Sequence, residues 1–418
     1  MNPSQGAGTT RTEHERDHRK AERGLDWLIF FVADIQTGFG PFVTVFLTEQ
    51  KWTQVDIGLL LSTGTLVGLF GQIPAGILVD SARSPRLVAG VCLAVIGASA
   101  LVFAAFPVFG IALAARFAHG AASCVLNLAL ISLALGLAGP DRADARLARN
   151  AAFASAGSGV AAALMGLVGY QSSSRAVFFV AAALVLPALF ALWRIRPGEL
   201  GPASDAARGA PTDALAFLHA LRDLAQKKTF VVLCLCLMLF NLANASMLPL
   251  AASLVTQRSS QQATLMVAAA LLAPQFLAAA LAPFVGRGAR VWGRRNLLLI
   301  GFVALAFRGL LFTVTNDPVA LSAIQALDGV SAAVLAVIVP LVIVDLTREG
   351  GHFNLAQGVA GSAAGAGAAL STVMAGYLND NFGARAAFDT LTVAALVGVA
   401  VVAMAMTETE PEEQKPHH

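Results

Sequence analysis

Runs of apolar residues long enough to cross a bilayer recur from one end of this sequence to the other, separated by short polar breaks. A hydrocarbon core of roughly 30 Å takes about 20 apolar residues as a helix. Such cores fall near 25–48, 56–79, 87–106, 108–137, 150–170, 175–193, 230–256, 263–285, 297–315, 318–345, 353–378 and 386–406. Lipid offers no water to backbone N–H and C=O groups, so each run must satisfy them within itself as a helix, or in a closed barrel of strands. These runs are long and rich in Ala, Leu and Gly, without the ten-residue alternation of barrel strands, so helices are predicted. Composition agrees: 57% of residues are hydrophobic and only 13% charged, and mean hydropathy is +0.71, far from a soluble domain. The expected fold class is an all-α membrane protein of twelve transmembrane helices.

The polar breaks carry orientation. Alternate breaks differ in basic charge: Lys51, Arg175, Arg258 and Arg385 fall on one side, Arg116 and Arg308 fall inside spans, and every other Lys and Arg falls on the opposite side. Cytoplasmic loops are the ones enriched in Lys and Arg, which predicts both termini inside. The stretch before Trp27 is polar and charged, unlike a cleaved signal peptide, so the first span is expected to remain in the mature protein. Cys92, Cys124, Cys234 and Cys236 lie in apolar runs and read as packing residues, not as a disulfide framework or zinc site.

Between Arg194 and Lys228 hydropathy collapses into Pro, Gly, Ala, Asp and Arg. The predicted organisation is therefore a cytoplasmic tail (1–24), six spans (25–194), a cytoplasmic linker (195–228), six more spans (229–407) and a second tail (408–418). The tract from Asp213 to Lys228 mixes Leu and Phe with charges and is expected to lie as a surface helix. The two halves repeat one another. At a constant offset, Arg116, His119 and Gly120 in the fourth span answer to Gln325, Asp328 and Gly329 in the tenth, and Pro74 answers to Pro283. Asp34 with Pro41 corresponds to Asn241 with Pro249, and Asn150 with Gly157 to Asn354 with Gly361.

These residues resemble the major facilitator superfamily. The loop after the second span, Gly76 to Arg86 with Asp80 and Arg83 inside it, is similar to that family's first signature, with Ser81 where an Arg is usual. Gly286 to Arg295 resembles its second-half copy, and Arg116 with His119 and Gly120 resembles a fourth-span signature, with His119 where Gln is usual. The fifth-span Gly-Pro signature of drug:proton antiporters is not present. The resemblance implies two pseudo-symmetric six-helix bundles, with the first, fourth, seventh and tenth helices lining a central cavity. It also implies a gate at Gly76, Asp80, Arg83 and Arg86. There Asp80 is expected to pair with Arg83 or Arg86 and to cap a neighbouring helix end.

Polar stripes fall on those four helices. Asp34 lies about mid-membrane, followed by Thr37, Pro41, Thr44 and Thr48; the fourth span carries Arg116, His119, Ser123 and Asn127. The seventh carries Asn241 and Asn244, and the tenth Gln325 and Asp328. Ionisable groups buried in lipid are functional by default. Proton coupling is expected at Asp34, Arg116, His119 and Asp328, with Arg116 as electrostatic partner of a carboxylate and His119 as relay or substrate contact. The expected substrate cavity holds Gln36, Thr37, Asn127, Asn241, Asn244 and Gln325. Arg308, in the ninth span, is expected to snorkel or to meet a lipid headgroup.

No nucleotide-binding loop, hydrolase triad or metal cluster appears in the sequence, so neither an enzyme nor a cofactor or metal site is expected. The expected function is a secondary transporter moving a small organic molecule, with proton-coupled export ahead of uptake or uniport. A non-transporting membrane sensor is the reading from another class. The expected partners are the small-molecule substrate, protons and the lipid bilayer, without nucleic acid, acting as a monomer. The abundance of Ala, Gly and Arg suggests a bacterial inner membrane.

Overall fold

The computed structural model describes residues 4–38, 42–43, 46–47, 50–52, 54–139, 142–195, 214–251, 260–315, 317–348 and 352–409. Within these, α1 (Ser4–Gly38), α2 (Gln54–Phe70), α3 (Gln72–Ser81), α4 (Pro85–Ala105), α5 (Phe109–Ala138), α6 (Ala143–Gln171) and α7 (Ser174–Trp193) form the N-terminal half of the chain. A short α8 (Ala214–Gln226) follows, at the place expected for a surface helix. The C-terminal half holds α9 (Lys228–Asn244), α10 (Ser260–Val291), α11 (Arg294–Val314), α12 (Pro318–Gln325), α13 (Asp328–Thr347) and α14 (Phe353–Ala405). A non-helical Gly383 breaks α14 into two spans.

Nine helices among the described residues are long and apolar enough to cross a membrane, and α2 with α3 makes a tenth if the bent pair is one span. Nine or ten of the twelve expected spans are thus found among the described residues. The remaining expected spans fall on α1 and α10, which run into positions 39–41 and 252–259, outside the described residues.

Local chemistry accounts for the helix ends. Ser84 accepts from the Leu87 N–H, with Pro85 as first helical residue; Ser173 caps α7 and Asp317 caps α12 in the same way. The 52° bend between α2 and α3 falls at Gly71, three residues before Pro74, whose ring lacks the N–H that would bond the carbonyl of Phe70. The tenth span breaks between Gln325 and Asp328, leaving both polar side chains at the discontinuity.

Two large cores form. One gathers buried residues from Ala21 to Ile195, the other residues from Ala143 to Met406. A smaller cluster, with Phe46, Phe103 and Phe178 in mutual ring contact at 4.9 to 5.7 Å, fills the end of the N-terminal half away from the linker. Large apolar side chains such as Leu87, Leu186, Val314 and Val373 point outward in numbers no soluble surface carries. This exposed apolar envelope is what a lipid solvent requires.

Candidate functional site

The halves meet along two seams, α3 against α14 and α6 against α10. Between them lies a cavity of about 550 Å³, walled by α1, α5 and α6 on one side and α9, α13 and α14 on the other. Its polar groups are carboxamides: Gln36, Asn127, Asn150, Asn241 and Gln357. Gln36 and Asn127 bond each other at 3.1 Å. Asn150 accepts from Arg146 Nε at 2.8 Å, and the Asn241 amide donates to its own Leu237 carbonyl at 2.9 Å. Gln36, Asn127 and Asn241 were expected here from the sequence; Asn150 and Gln357 were not. Asn244 and Gln325 are absent from the wall. The side chain of Thr37, like Pro41, Thr44 and Thr48, lies outside the described residues.

At the end of the bundle carrying the linker and both termini, each seam is fastened. Asp80, 2% exposed at the end of α3, accepts from Asn354 Nδ2 at 2.7 Å and from the Leu355 and Asn354 backbone N–H groups at 2.9 and 3.4 Å. The carboxylate thus sits on the N-terminus of α14, where four N–H groups lack partners within the helix and the dipole is positive. Ser132 of α5 holds the same Asn354, donating to Oδ1 at 2.9 Å. Gly76 and Gly358 make the approach possible, since a Cβ at either would collide with the Asn354 or Gln72 carbonyl. The expected partners of Asp80 are corrected: Arg83 is exposed and Arg86 donates to the Trp193 carbonyl at 3.1 Å, while Asp80 reaches across the seam instead. The other half of that expectation, a helix end capped by Asp80, matches the geometry.

The second seam carries the charges the other way round. Asp144, at the start of α6, meets Arg290 Nε at 3.0 Å and Arg294 Nη2 at 3.2 Å across the seam. Arg294 is 1% exposed and also contacts Asp345 of its own half at 3.3 Å. Gly286 lies against Ala148 and the Asp144 carbonyl, too close for a side chain. Glu408, beyond the last helix, receives the N–H groups of Arg294 and Arg295 at 2.9 and 3.3 Å and so caps α11. Within the N-terminal half, Asp26 binds Arg146 and Arg149.

The intramembrane ions lie behind the cavity wall. Asp34, 3% exposed, faces α6 near the Ala161 backbone, and its Oδ1 has no hydrogen-bond partner among the described residues. Arg116 packs over Gly64 of α2, where a Cβ would meet Nη2 at 2.6 Å. His119, one turn on, lies 3.5 Å from Ser123 Oγ. Among the described residues, no ion pair joins Asp34 to Arg116.

Among the described residues, Arg308 pairs with a carboxylate in the apolar interior. It is completely buried, meets Asp328 Oδ1 at 2.5 Å and donates to Asn244 Oδ1 and Met247 Sδ. The expectation that Arg308 snorkels to lipid is therefore corrected. Its helix faces the break between α12 and α13, and burial without a counter-charge would be far costlier than the ion pair. Gln325, at the same break, is 3% exposed with Oε1 unpartnered among the described residues.

Comparison with known proteins gives this arrangement a family. The model described as Major Facilitator Superfamily matches residues 26–273 and again 233–418. An uncharacterized MFS-type transporter of Mycobacterium tuberculosis, present in two strains, is 34% identical over 397 residues, covering 93% of this chain and 94% of the relative. Among solved structures, the major facilitator transporter FucP in its outward conformation superposes with a TM-score of 0.74 at 15% identity, over 94% of this chain and 100% of that one. The E. coli fucose:proton symporter FucP gives 0.72 at 15% identity, over 92% and 98%. Export, the direction expected from the sequence, is corrected: the solved structures that share this fold include one described as a fucose:proton symporter. Polar stripes in a cavity carry no sign of direction, because one cavity serves flow either way. The chain is an integral membrane protein that belongs to the major facilitator superfamily, a family of transporters and not of enzymes.

Proposed function

We propose that the chain is a proton-coupled uptake transporter for a small organic molecule, working by alternating access between two six-helix bundles, residues 25–194 and 229–407. The observation that carries this reading is the cavity of about 550 Å³ walled by both halves and fastened shut at one end by Asp80 on α14 and Asp144 on Arg290 and Arg294. A site between repeated halves, closed on one side by contacts that must break to open it, is the arrangement alternating access needs. Basic loops mark the fastened end as cytoplasmic, so the arrangement corresponds to an outward-facing state of a twelve-span protein. Gly76 and Asp80 then belong to the inner gate, together with Asn354, Asp144 and Arg290.

Asp34 is the proposed proton site. It is a buried carboxylate on the helix that also supplies Gln36 to the cavity, and one of its oxygens is unpartnered among the described residues. Arg116 and His119 tune that half of the protein, while Asp328 is held by Arg308. Bacterial relatives support an inner-membrane location, and a single chain encloses the whole cavity, which supports a monomeric unit.

Reconstitution tests the reading. With a panel of radiolabelled solutes outside proteoliposomes, an outside-acid pH gradient should drive accumulation of at least one solute above its equilibrium level, and a protonophore should abolish the excess. Accumulation indifferent to the gradient would replace coupling with uniport. Failure of every solute to enter would favour a sensor.

A further inference from the structure

The cavity wall is charge-free among the described residues, and we infer from this that the transported solute is electrically neutral and amphipathic, with hydroxyl or amide groups at one end of an apolar body. The inference rests on the transporter reading above and adds the class of cargo. Five carboxamides supply the polar lining, and aliphatic side chains such as Ile29, Val32, Leu130, Leu237 and Val339 supply most of the rest. Asp34, Arg116, His119, Arg308 and Asp328 all lie outside that lining. A charged solute entering here would shed its water and find no counter-ion, a cost that amide dipoles only partly offset.

The hydrogen-bond inventory narrows the class further. Asn150 spends an acceptor on Arg146, so its NH₂ is left over; Asn241 spends a donor on Leu237, so its oxygen is left over. The Gln36 and Asn127 pair uses one donor and one acceptor and keeps the rest. Gln357 Oε1 is a buried acceptor with no partner among the described residues. Donors and acceptors thus remain on both walls, across one space, with the Gln36 and Asn241 oxygens and the buried Gln357 Oε1 among the acceptors. A hydroxyl or a primary amide gives and accepts at once, and so bridges both. No aromatic ring lines the cavity among the described residues, which removes the stacking surface a bare sugar would use, while the aliphatic wall rewards an apolar body.

The test uses full-length protein in nanodiscs and probes built on shared skeletons, phenylpropyl and cyclohexylpropyl, each present as amide, alcohol, carboxylate and amine. Thermal stabilisation should be confined to amides and alcohols. Asn241→Asp, which puts a formal charge on the C-terminal wall, should move preference toward the amines at least tenfold in apparent affinity; Gln357→Glu provides the same change on a different helix if the first variant does not fold. Greater stabilisation of wild-type protein by carboxylates or amines, absence of any neutral binder, or an unchanged order in both variants would overturn the inference. Neutral probes that bind but never enter proteoliposomes would leave the cavity chemistry standing and sink the transport reading instead.

Discussion

Replacing Asp80 with Asn changes one atom at the seam between α3 and α14, and the consequence is large because the two carboxylate oxygens face three donors between them. The carboxylate accepts from Asn354 Nδ2 at 2.7 Å, Leu355 N at 2.9 Å and Asn354 N at 3.4 Å. A carboxamide keeps one accepting oxygen and turns an NH₂ toward an N–H, so at least one charge-assisted bond is lost, about 1.5–3 kcal/mol. Loss of the negative charge at a helix N-terminus removes a further ~0.3–1 kcal/mol. Together these come to roughly 2–4 kcal/mol, a fall of about 30- to 700-fold in the ratio of fastened to unfastened states at this end. Spin labels on cysteines introduced at Arg83 and Arg348, both exposed, would report the populations by pulsed electron resonance. The expected result is a new long-distance population in Asp80→Asn, with Gly76→Leu as a positive control because its side chain collides with the Asn354 carbonyl. If Gly76→Leu opens and Asp80→Asn keeps the wild-type distribution, the carboxylate is not what holds this seam.

Other outcomes follow from the same geometry. Asp34→Asn should reduce gradient-driven accumulation to the equilibrium level while leaving solute counterflow intact, as measured in proteoliposomes; accumulation retained in full would move the proton site elsewhere. Arg308→Ala strands Asp328 without its counter-charge and should cost about 3–5 kcal/mol of stability, read as a fall in Tm. The pair Arg308→Met with Asp328→Leu should recover most of that loss, and equal damage in the double variant would argue against the ion pair as the cause. Gly286→Val should unfasten the second seam by pressing on Ala148 and the Asp144 carbonyl without removing any charge, visible as increased labelling of a cysteine placed at Ala143, which is buried there against the C-terminal half.

Much of the membrane architecture was legible because lipid imposes a coarse rule, about 20 apolar residues per crossing, and the described spans from Pro85–Ala105 to Asn381–Ala405 sit where that rule puts them. Of the residues expected in a substrate cavity, Gln36, Asn127 and Asn241 line the space between the halves. Partners were harder. Asp80 and Asn354 lie in different halves of the chain, and no local spacing relates them; only the closed seam brings them together. The same holds for Asp144 with Arg294. Arg308 was misread for another reason. It stood alone in an apolar run, and snorkelling looked sufficient, yet the cost of burying ions, applied to Asp34, applied equally here. Asp328 and Asn244 were both already in view as polar residues on other spans. Direction of transport left no trace in the residues at all.

The cap that Glu408 places on α11 gives the short segment after α14 mechanical weight. Arg294, whose N–H it receives, is the side chain that reaches Asp144 in one half and Asp345 in the other, so slack at the tail is transmitted to the inner seam. A reporter protein fused flush after Thr409 pulls on that carboxylate, whereas a flexible spacer of a dozen residues leaves it seated. Trimming the chain at Met406 deletes the cap outright and should loosen the hold of Arg294 on Asp144.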